Sequence, residues 1–453
     1  MSNINFLSLK NKLKIPDSLV TDLSQYQSYF HDATEDSGIP EAILFAENDT
    51  DIIETLKFCL EQKLSVIPRG AGTGLSGGCV PTQRSIVLST EKMQKLEIDQ
   101  KNRIALCGPG VITKNLQDKA SEVGLAYPPD PASYEESTLG GNVAENAGGL
   151  RCKRFGVTKD YVLGLRGILA DGNDFSTGIY NKDKGFNMGD VFIASEGTLC
   201  IITEIAVRLI DAVLSGNTLL AAFDSPKDGA RAVSQIVMSG IIPTVLEYID
   251  GDAAACVNEY EKTDFLDNVK AILLIETSDS DISGQTALIR RICKCNNSKY
   301  LRIEEDSQKA ESLWKVRRNI SKAMKALGKI RVSEDVAVPI SKFPEIVDFV
   351  RELNAISLIR INCYGHAGDG NLHVNMMGMN GTETEGKEIE KNVEQVMIKT
   401  IQLGGTISGE HGIGLAKRRF MGLEFDKSTI LYMLKFKEIF DPVNILNPGK
   451  IFP

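Results

Sequence analysis

Pro68-Arg69-Gly70-Ala71-Gly72-Thr73-Gly74-Leu75-Ser76-Gly77-Gly78 is the stretch on which the reading of the first half of the chain turns. Five glycines fall within the nine positions 70–78, which lets the backbone take positive φ and turn several amides toward one anion. Gly72-x-Gly74-x-x-Gly77 has the letters of a dinucleotide fingerprint, but that loop must open a helix whose N-terminus faces the pyrophosphate. Pro81 arrives three residues after Gly78, and Ser85-Ile86-Val87-Leu88 is β-like, so no helix fits there. A Walker loop is excluded because no Gly-Lys-Ser/Thr comes after it. The pattern that survives is a strand–loop–strand, entered from Ser65-Val66-Ile67, that holds a diphosphate on bare backbone amides. The competing reading is a merely flexible glycine loop.

Two further clusters weigh against mere flexibility. Ser137-Thr138-Leu139-Gly140-Gly141-Asn142 leads into Asn146-Ala147-Gly148-Gly149, and Ser195-Glu196-Gly197-Thr198-Leu199 precedes an apolar strand over 200–205. Permissive backbone beside small hydroxyl and amide side chains suits one large ligand that crosses several loops. Upstream, Ile52, Leu56, Cys59, Leu60 and Leu64 recur at helical spacing behind Thr50, read as the N-cap. Short apolar runs broken by Gly and Pro continue to about Leu209, a mixed α/β block.

The pattern changes near Asp211. Helices are expected over 229–238, 312–327 and 343–353, and strands over 244–249, 271–276 and 332–338, which reads as helices on one face of an antiparallel sheet. A chain of 453 residues exceeds one ordinary core, so two domains are expected. The division is set at 1–211, 212–408 and a C-terminal segment, 409–453, that returns to the first domain.

With 42% hydrophobic and 25% charged residues the chain reads as a soluble globular protein, and a net charge of -9 argues against nucleic acid. Nine scattered cysteines read as reduced thiols, and Cys293-Lys294-Cys295 lacks the spacing of a zinc or iron–sulfur site. Apolar runs such as 271–275 are too short for a bilayer, so no transmembrane segment is expected. Lys10, Lys12 and Lys14 come without the features of a signal or transit peptide, and the plain reading is cytoplasmic, with a peripheral place at the inner membrane face left open.

Three of the four histidines lie late in the chain. Gly365-His366-Ala367-Gly368-Asp369-Gly370-Asn371-Leu372-His373 reads as a tight Asp-Gly turn that lets two imidazoles face one point. Ser408-Gly409-Glu410-His411-Gly412 adds a carboxylate and a third histidine, the material of a three-ligand open metal site. Satisfied core or turn histidines are the bland alternative. Two His and one carboxylate suit zinc, with iron and manganese left open.

Pro128-Pro129-Asp130-Pro131, Ser195-Glu196-Gly197-Thr198 and Asn447-Pro448-Gly449-Lys450, with the three glycine clusters, resemble the vanillyl-alcohol oxidase and p-cresol methylhydroxylase superfamily. Within it the chain is most similar to the D-lactate, glycolate and D-2-hydroxyglutarate dehydrogenases. The resemblance implies an α+β fold, with an FAD-binding domain of the p-cresol methylhydroxylase type, a ferredoxin-like antiparallel-sheet substrate domain and a helical C-terminal segment. It implies FAD held by Arg69, Gly70, Ala71, Gly72, Thr73, Gly74, Ser76 and Gly77. It adds Pro131, Ser137, Thr138, Gly141, Asn142, Asn146, Gly148, Glu196, Gly197, Ile202 and Asn447, with Lys450 returning to the flavin side. No histidine falls between His31 and His366, so attachment of FAD to a histidine of the first glycine loop is excluded and non-covalent FAD is expected.

The same resemblance implies His366, His373 and Glu410 as metal ligands and His411 as catalytic base. It makes Arg317 the anchor of the substrate carboxylate, with Ser321 and Asn375 in the pocket. A solvated helix face is the usual reading of an arginine such as Arg317. Relatives acting on D-2-hydroxyglutarate tend to carry a lysine where this chain has Ser333, so D-lactate or glycolate is the first expectation unless Arg331 or Lys329 reaches in. The electron acceptor stays open among a quinone, a cytochrome, an electron-transferring flavoprotein and an iron–sulfur subunit, and a homodimer is left open. Competing readings are a metal-dependent hydrolase and a non-catalytic flavoprotein subunit of an electron-transfer complex.

Overall fold

The computed structural model describes residues 4–181, 187–212, 216–262, 268–278 and 281–453. The chain divides into two compact units, Met1–Gly148 with Gly156–Ala212 and Glu410–Pro453, and Gly149–Phe155 with Val213–Gly409. The short segment Gly149–Phe155 belongs with the second unit, which a boundary near 211 does not capture. Within that unit Arg154 donates to the carbonyl of Ile242 at 3.3 Å.

In the first unit, strands Ser65–Arg69 and Ser85–Ser89 run parallel, in register Val66 to Ile86, and Ala42–Phe45 lies parallel on the other side of Ser85–Ser89. The glycine run is therefore a loop between parallel neighbours, with no helix after it. Helix Asp49–Gln62 packs on this sheet through Ile52, Leu56 and Cys59, all fully buried in one cluster with Val66, Ile86 and Leu88. Burying an Ile or Leu side chain of this kind contributes roughly 1.5–3 kcal/mol. The N-cap is Asn48 rather than Thr50: the Asn48 backbone is extended and its side chain accepts from the Asp51 amide at 3.0 Å. Thr50 lies inside the first turn, where its backbone is already helical. A second sheet of five antiparallel strands runs in the order Leu96–Asp99, Ile104–Cys107, Ile201–Arg208, Val162–Ile168, Asp174–Ser176.

The second unit is a seven-stranded antiparallel sheet, ordered Ser298–Glu304, Thr218–Phe223, Ala271–Glu276, Val245–Asp250, Arg360–Gly365, Asn371–Gly378, Ile330–Ala337. Helices cover both of its faces, not one. Leu220, Ala222, Ile249, Ile272 and Leu274 pack against helices Gly251–Glu261 and Ser307–Leu327. On the opposite face Gly229, in helix Pro226–Met238, comes so close to Ala271, Phe223 and Tyr248 that an added Cβ would crowd them. Tyr248 also meets Phe343, at the start of helix Phe343–Ile356, edge to face at 5.6 Å. Strands buried on both sides read as unbroken apolar runs, and Ala-Ile-Leu-Leu-Ile at 271–275 is one.

Asp250 ends a central strand and caps helix Gly251–Glu261, accepting the amides of Ala253 and Cys363, each at 2.6 Å. Burial pushes its pKa up to about 7 in spite of those bonds. Folded Asp250 holds its proton more tightly than the unfolded chain does. The stability it adds is full below its ordinary value of 3.8 and is lost as the pH rises through about 7. Wild type should therefore lose stability relative to Asp250→Asn as the pH is raised across that window, read from denaturant midpoints. A difference that stays constant with pH would count against this assignment.

Candidate active site

The three glycine clusters meet in one cavity of the first unit, about 230 Å³ in volume. Its wall carries Arg69, Gly70, Ala71, Gly72, Thr73 and Gly74 from the first loop. Pro131, Ser137, Thr138, Gly141, Asn142, Gly148, Glu196, Gly197 and Ile202 come from the others, and Glu410 and His411 complete it. Among the described residues, none of the amides of 71–74 donates a hydrogen bond within the protein. A row of unspent N–H groups on a cavity wall is the donor set that a diphosphate requires, so the residues present fit a dinucleotide. Gly72 needs to be glycine: its φ is +73° and a Cβ would run into the Arg69 guanidinium. That guanidinium braces the loop, donating to the carbonyls of His31 at 2.7 Å and Ser28 at 2.9 Å.

Four expected cofactor contacts lie off the wall. Ser76 is fully buried, and its carbonyl accepts the amides of Leu415 and Ala416 at 2.8 and 3.1 Å. Gly77 packs against the Leu415 side chain. Asn146 ends helix Leu139–Glu145 in the left-handed conformation, φ 54°, and accepts the Lys159 amide at 2.9 Å. Asn447 ties two loops together, donating to the carbonyls of Gly78 at 2.8 Å and Glu196 at 2.7 Å. Lys450 does similar work on the carbonyls of Gly77 and Val80.

Glu196 lines the cavity, but its carboxylate accepts the amides of Ile413 and Gly414, both at 2.7 Å, and so fixes the backbone just after His411. Glu145, which the sequence reading missed, stands on the same wall, and a Cβ on Gly412 would collide with both carboxylates. Burial pushes Glu196 up to about 7 and, with the charge of Glu196, pushes Glu145 well above the carboxylate range. Like charges on one buried wall disfavour ionisation of both carboxylates together.

In the second unit the decisive residue is also one the sequence reading passed over. Glu247, on strand Val245–Asp250, is completely buried. One carboxylate oxygen meets His366 Nδ1 at 2.6 Å and the other accepts from Arg317 Nε. Burial alone would raise its pKa, but the charges and hydrogen bonds of Arg317 and His366 outweigh it and hold the carboxyl down at about 2. An ionised Glu247 keeps a proton on His366 Nδ1, so Nε2 is the ring atom that would bind a metal once it gives up its own proton. The rings of His366 and His373 are edge to face with centroids 5.3 Å apart. The five residues 366–370 that join their strands form a 3₁₀ turn, Ala367–Asp369, closed by Gly370 at φ +75°, rather than a two-residue hairpin. This imidazole pair, one ring oriented by a buried carboxylate, fits a divalent cation that takes nitrogen and oxygen ligands.

Arg317 is no solvated helix charge. It falls in the buried stripe Leu313, Arg317, Ile320, Met324 of helix Ser307–Leu327, and its guanidinium lies 4.6 Å from the Tyr364 ring centre. Arg331 donates to Asn375 Oδ1 at 3.1 Å and lies 3.5 Å from Ser321 Oγ, while the Lys329 side chain runs along Gly381.

Residues 40–178 match the family described as "FAD binding domain", and residues 215–451 match "FAD linked oxidases, C-terminal domain". The chain is 37% identical to the glycolate oxidase subunit GlcD of Bacillus subtilis, over 94% of this chain and 92% of that one. It is 35% identical to a D-lactate dehydrogenase of Archaeoglobus fulgidus, over 89% of each. The solved structure of p-cresol methylhydroxylase superposes with a TM-score of 0.79 at 14% identity, over 98% of this chain and 96% of that one, which shows the shared fold. With a dinucleotide cradle of unspent amides, both family matches and relatives along nearly its whole length, the chain belongs to the FAD-linked oxidases and is an oxidoreductase.

Proposed function

We propose that the chain oxidises a small D-2-hydroxy acid to the 2-keto acid, with non-covalent FAD and a divalent metal held by His366, His373 and Glu410. The observation that carries this reading is the shared carboxylate of Glu247, which fixes an anion-binding arginine and a metal-competent imidazole to each other. A 2-hydroxy acid needs just that pair: a guanidinium for its carboxylate, and a ligand set beside it for its hydroxyl. Bound FAD supplies a two-electron acceptor and bound metal a Lewis acid.

The chain's own residues do the rest. The amides of 71–74 hold the diphosphate. Arg317, kept in place by Glu247 and Tyr364, orients the substrate carboxylate. His411, on the cavity wall and braced through Glu196, accepts the hydroxyl proton on a ring nitrogen. Electrons then leave to an acceptor outside the chain. The hydrolase reading has no use for a dinucleotide cradle. Anaerobic addition of D-lactate or glycolate to the FAD- and metal-loaded protein should bleach the yellow flavin. Flavin that stays yellow with every D-2-hydroxy acid tried would end the proposal.

A second reading concerns the substrate's tail. Arg331 reaches the two residues, Ser321 and Asn375, that are expected in the pocket, so a second carboxylate would find a cation there. Arg331→Met should raise KM for a D-2-hydroxy dicarboxylate by roughly 10–100-fold, the worth of a charge-assisted hydrogen bond, and leave that for D-lactate nearly unchanged. Equal effects on both substrates would remove Arg331 from tail recognition.

A further inference from the structure

The last helix of the first unit, Lys427–Phe440, carries apolar side chains on two faces: Ile430, Met433, Leu434 and Phe440 are half-buried, and Phe440 meets Phe192 edge to face at 5.1 Å. The helix buries Lys437 and leaves Leu431, Tyr432, Phe436 and Ile439 in solvent, with Val443 just past its end. Ile439 is 70% exposed and Tyr432 62%. At 100° per residue these side chains form one stripe centred on Ile439, opposite Lys437. Five such side chains, four of them more than half exposed and Phe436 at 49%, present on the order of 600 Å² of apolar surface, at the upper end of what a monomer leaves bare. A standard interface takes about 800 Å² from each partner, so the stripe with its rim is the size of one side of a stable contact.

We propose that this helix face is the seat of an isologous dimer and that its occupant is a second copy of this chain. The rim decides the occupant. Exposed Lys427 and Lys435 stand on the same flank of the stripe as exposed Glu438, so both signs are present along its edge. Two helices packed antiparallel about a twofold axis near Phe436 bring Lys435 of one copy toward Glu438 of the other and oppose their dipoles. An anionic membrane would instead call for a rim of one positive sign, and the chain's net charge of -9 opposes such a surface.

The test compares the FAD-loaded wild type with Tyr432→Lys/Ile439→Glu by sedimentation velocity and light scattering, across the micromolar range. Both substituted side chains are exposed, so melting temperature and flavin content should stay as in wild type. Wild type should have the mass of two chains and the variant that of one. A wild type with the mass of one chain overturns the proposal, as does a variant that keeps the mass of two. Vesicles of phosphatidylglycerol form a further arm. Co-sedimentation of wild type with them, lost in the variant while the mass in solution is that of one chain in both, assigns the face to lipid and overturns the dimer.

Discussion

Replacing Glu247 with glutamine is expected to cost the enzyme its proposed metal site and turnover together while leaving FAD in place. Glutamine keeps the volume but gives up the charge that faces both Arg317 Nε and His366 Nδ1. Breaking a buried charge pair by neutralising one partner costs roughly 3–5 kcal/mol, because the other charge stays out of water. Glu247 is wholly buried and the Arg317 side chain is only 10% exposed, so solvent screens little of that loss. Losing the carboxylate that orients a ligating imidazole lowers metal affinity by roughly 10–100-fold. The flavin cavity lies in the other unit, so the yellow colour should persist. Calorimetric titration with Zn²⁺, denaturant unfolding and flavin absorbance together read the three effects. Glu247→Asp, which keeps the charge on a shorter stem, should recover part of the stability and less of the metal affinity. Unchanged Zn²⁺ affinity in a folded Glu247→Gln protein would show that the carboxylate does not orient His366 for a metal.

Glu247 also shows where the sequence stops being legible. The glycine run is readable because its deciding neighbours are local: Pro81 and the β-like Ser85–Ser89 exclude a helix whatever the rest of the chain does. Arg317 has a local signal too, since it interrupts the apolar positions Leu313, Ile320 and Met324 of one helical stripe. A charge in that place must meet a buried partner. The partner itself carries no such mark. Glu247 lies 70 residues from Arg317 and 119 from His366 in sequence, and only the order of strands in the sheet and the helix packed on it join them. The same holds for Glu145, which the sequence reading passes over, and Glu196, which it reads as a flavin contact, until the chain brings Gly412 against both. The expectation of one covered sheet face fails for a different reason. Continuous runs such as 271–275 and 219–223 already say that both faces are buried, and period-two alternation is the wrong template for them.

Lys437→Met is expected to destabilise the first unit by roughly 3–5 kcal/mol and to weaken FAD binding, although the lysine touches no part of the cavity. A lysine in a helix is ordinarily a solvated charge, yet here the ammonium donates to Asp441 and to the carbonyls of Thr198 and Leu446, both at 2.7 Å. Asp441 in turn accepts the amides of Ile445 and Leu446. The pair therefore closes the turn that leads to Asn447 and ties it to the loop whose preceding residues, Ser195, Glu196 and Gly197, line the flavin cavity. Methionine fills the same space but leaves Asp441 charged, buried and short of its cation. Removing both charges in Lys437→Met/Asp441→Leu is often nearly neutral for an isolated buried pair. Here it should not rescue stability, because two amides and two carbonyls lose their partners at once, each worth about 1–3 kcal/mol when left buried and unpaired. Unfolding free energies of the two variants, with and without FAD, separate the cases. Recovery of wild-type stability in the double variant would mean that the ion pair merely satisfies itself, whereas a shared loss with lowered FAD affinity would make Lys437 the brace between the C-terminal helix and the flavin loop.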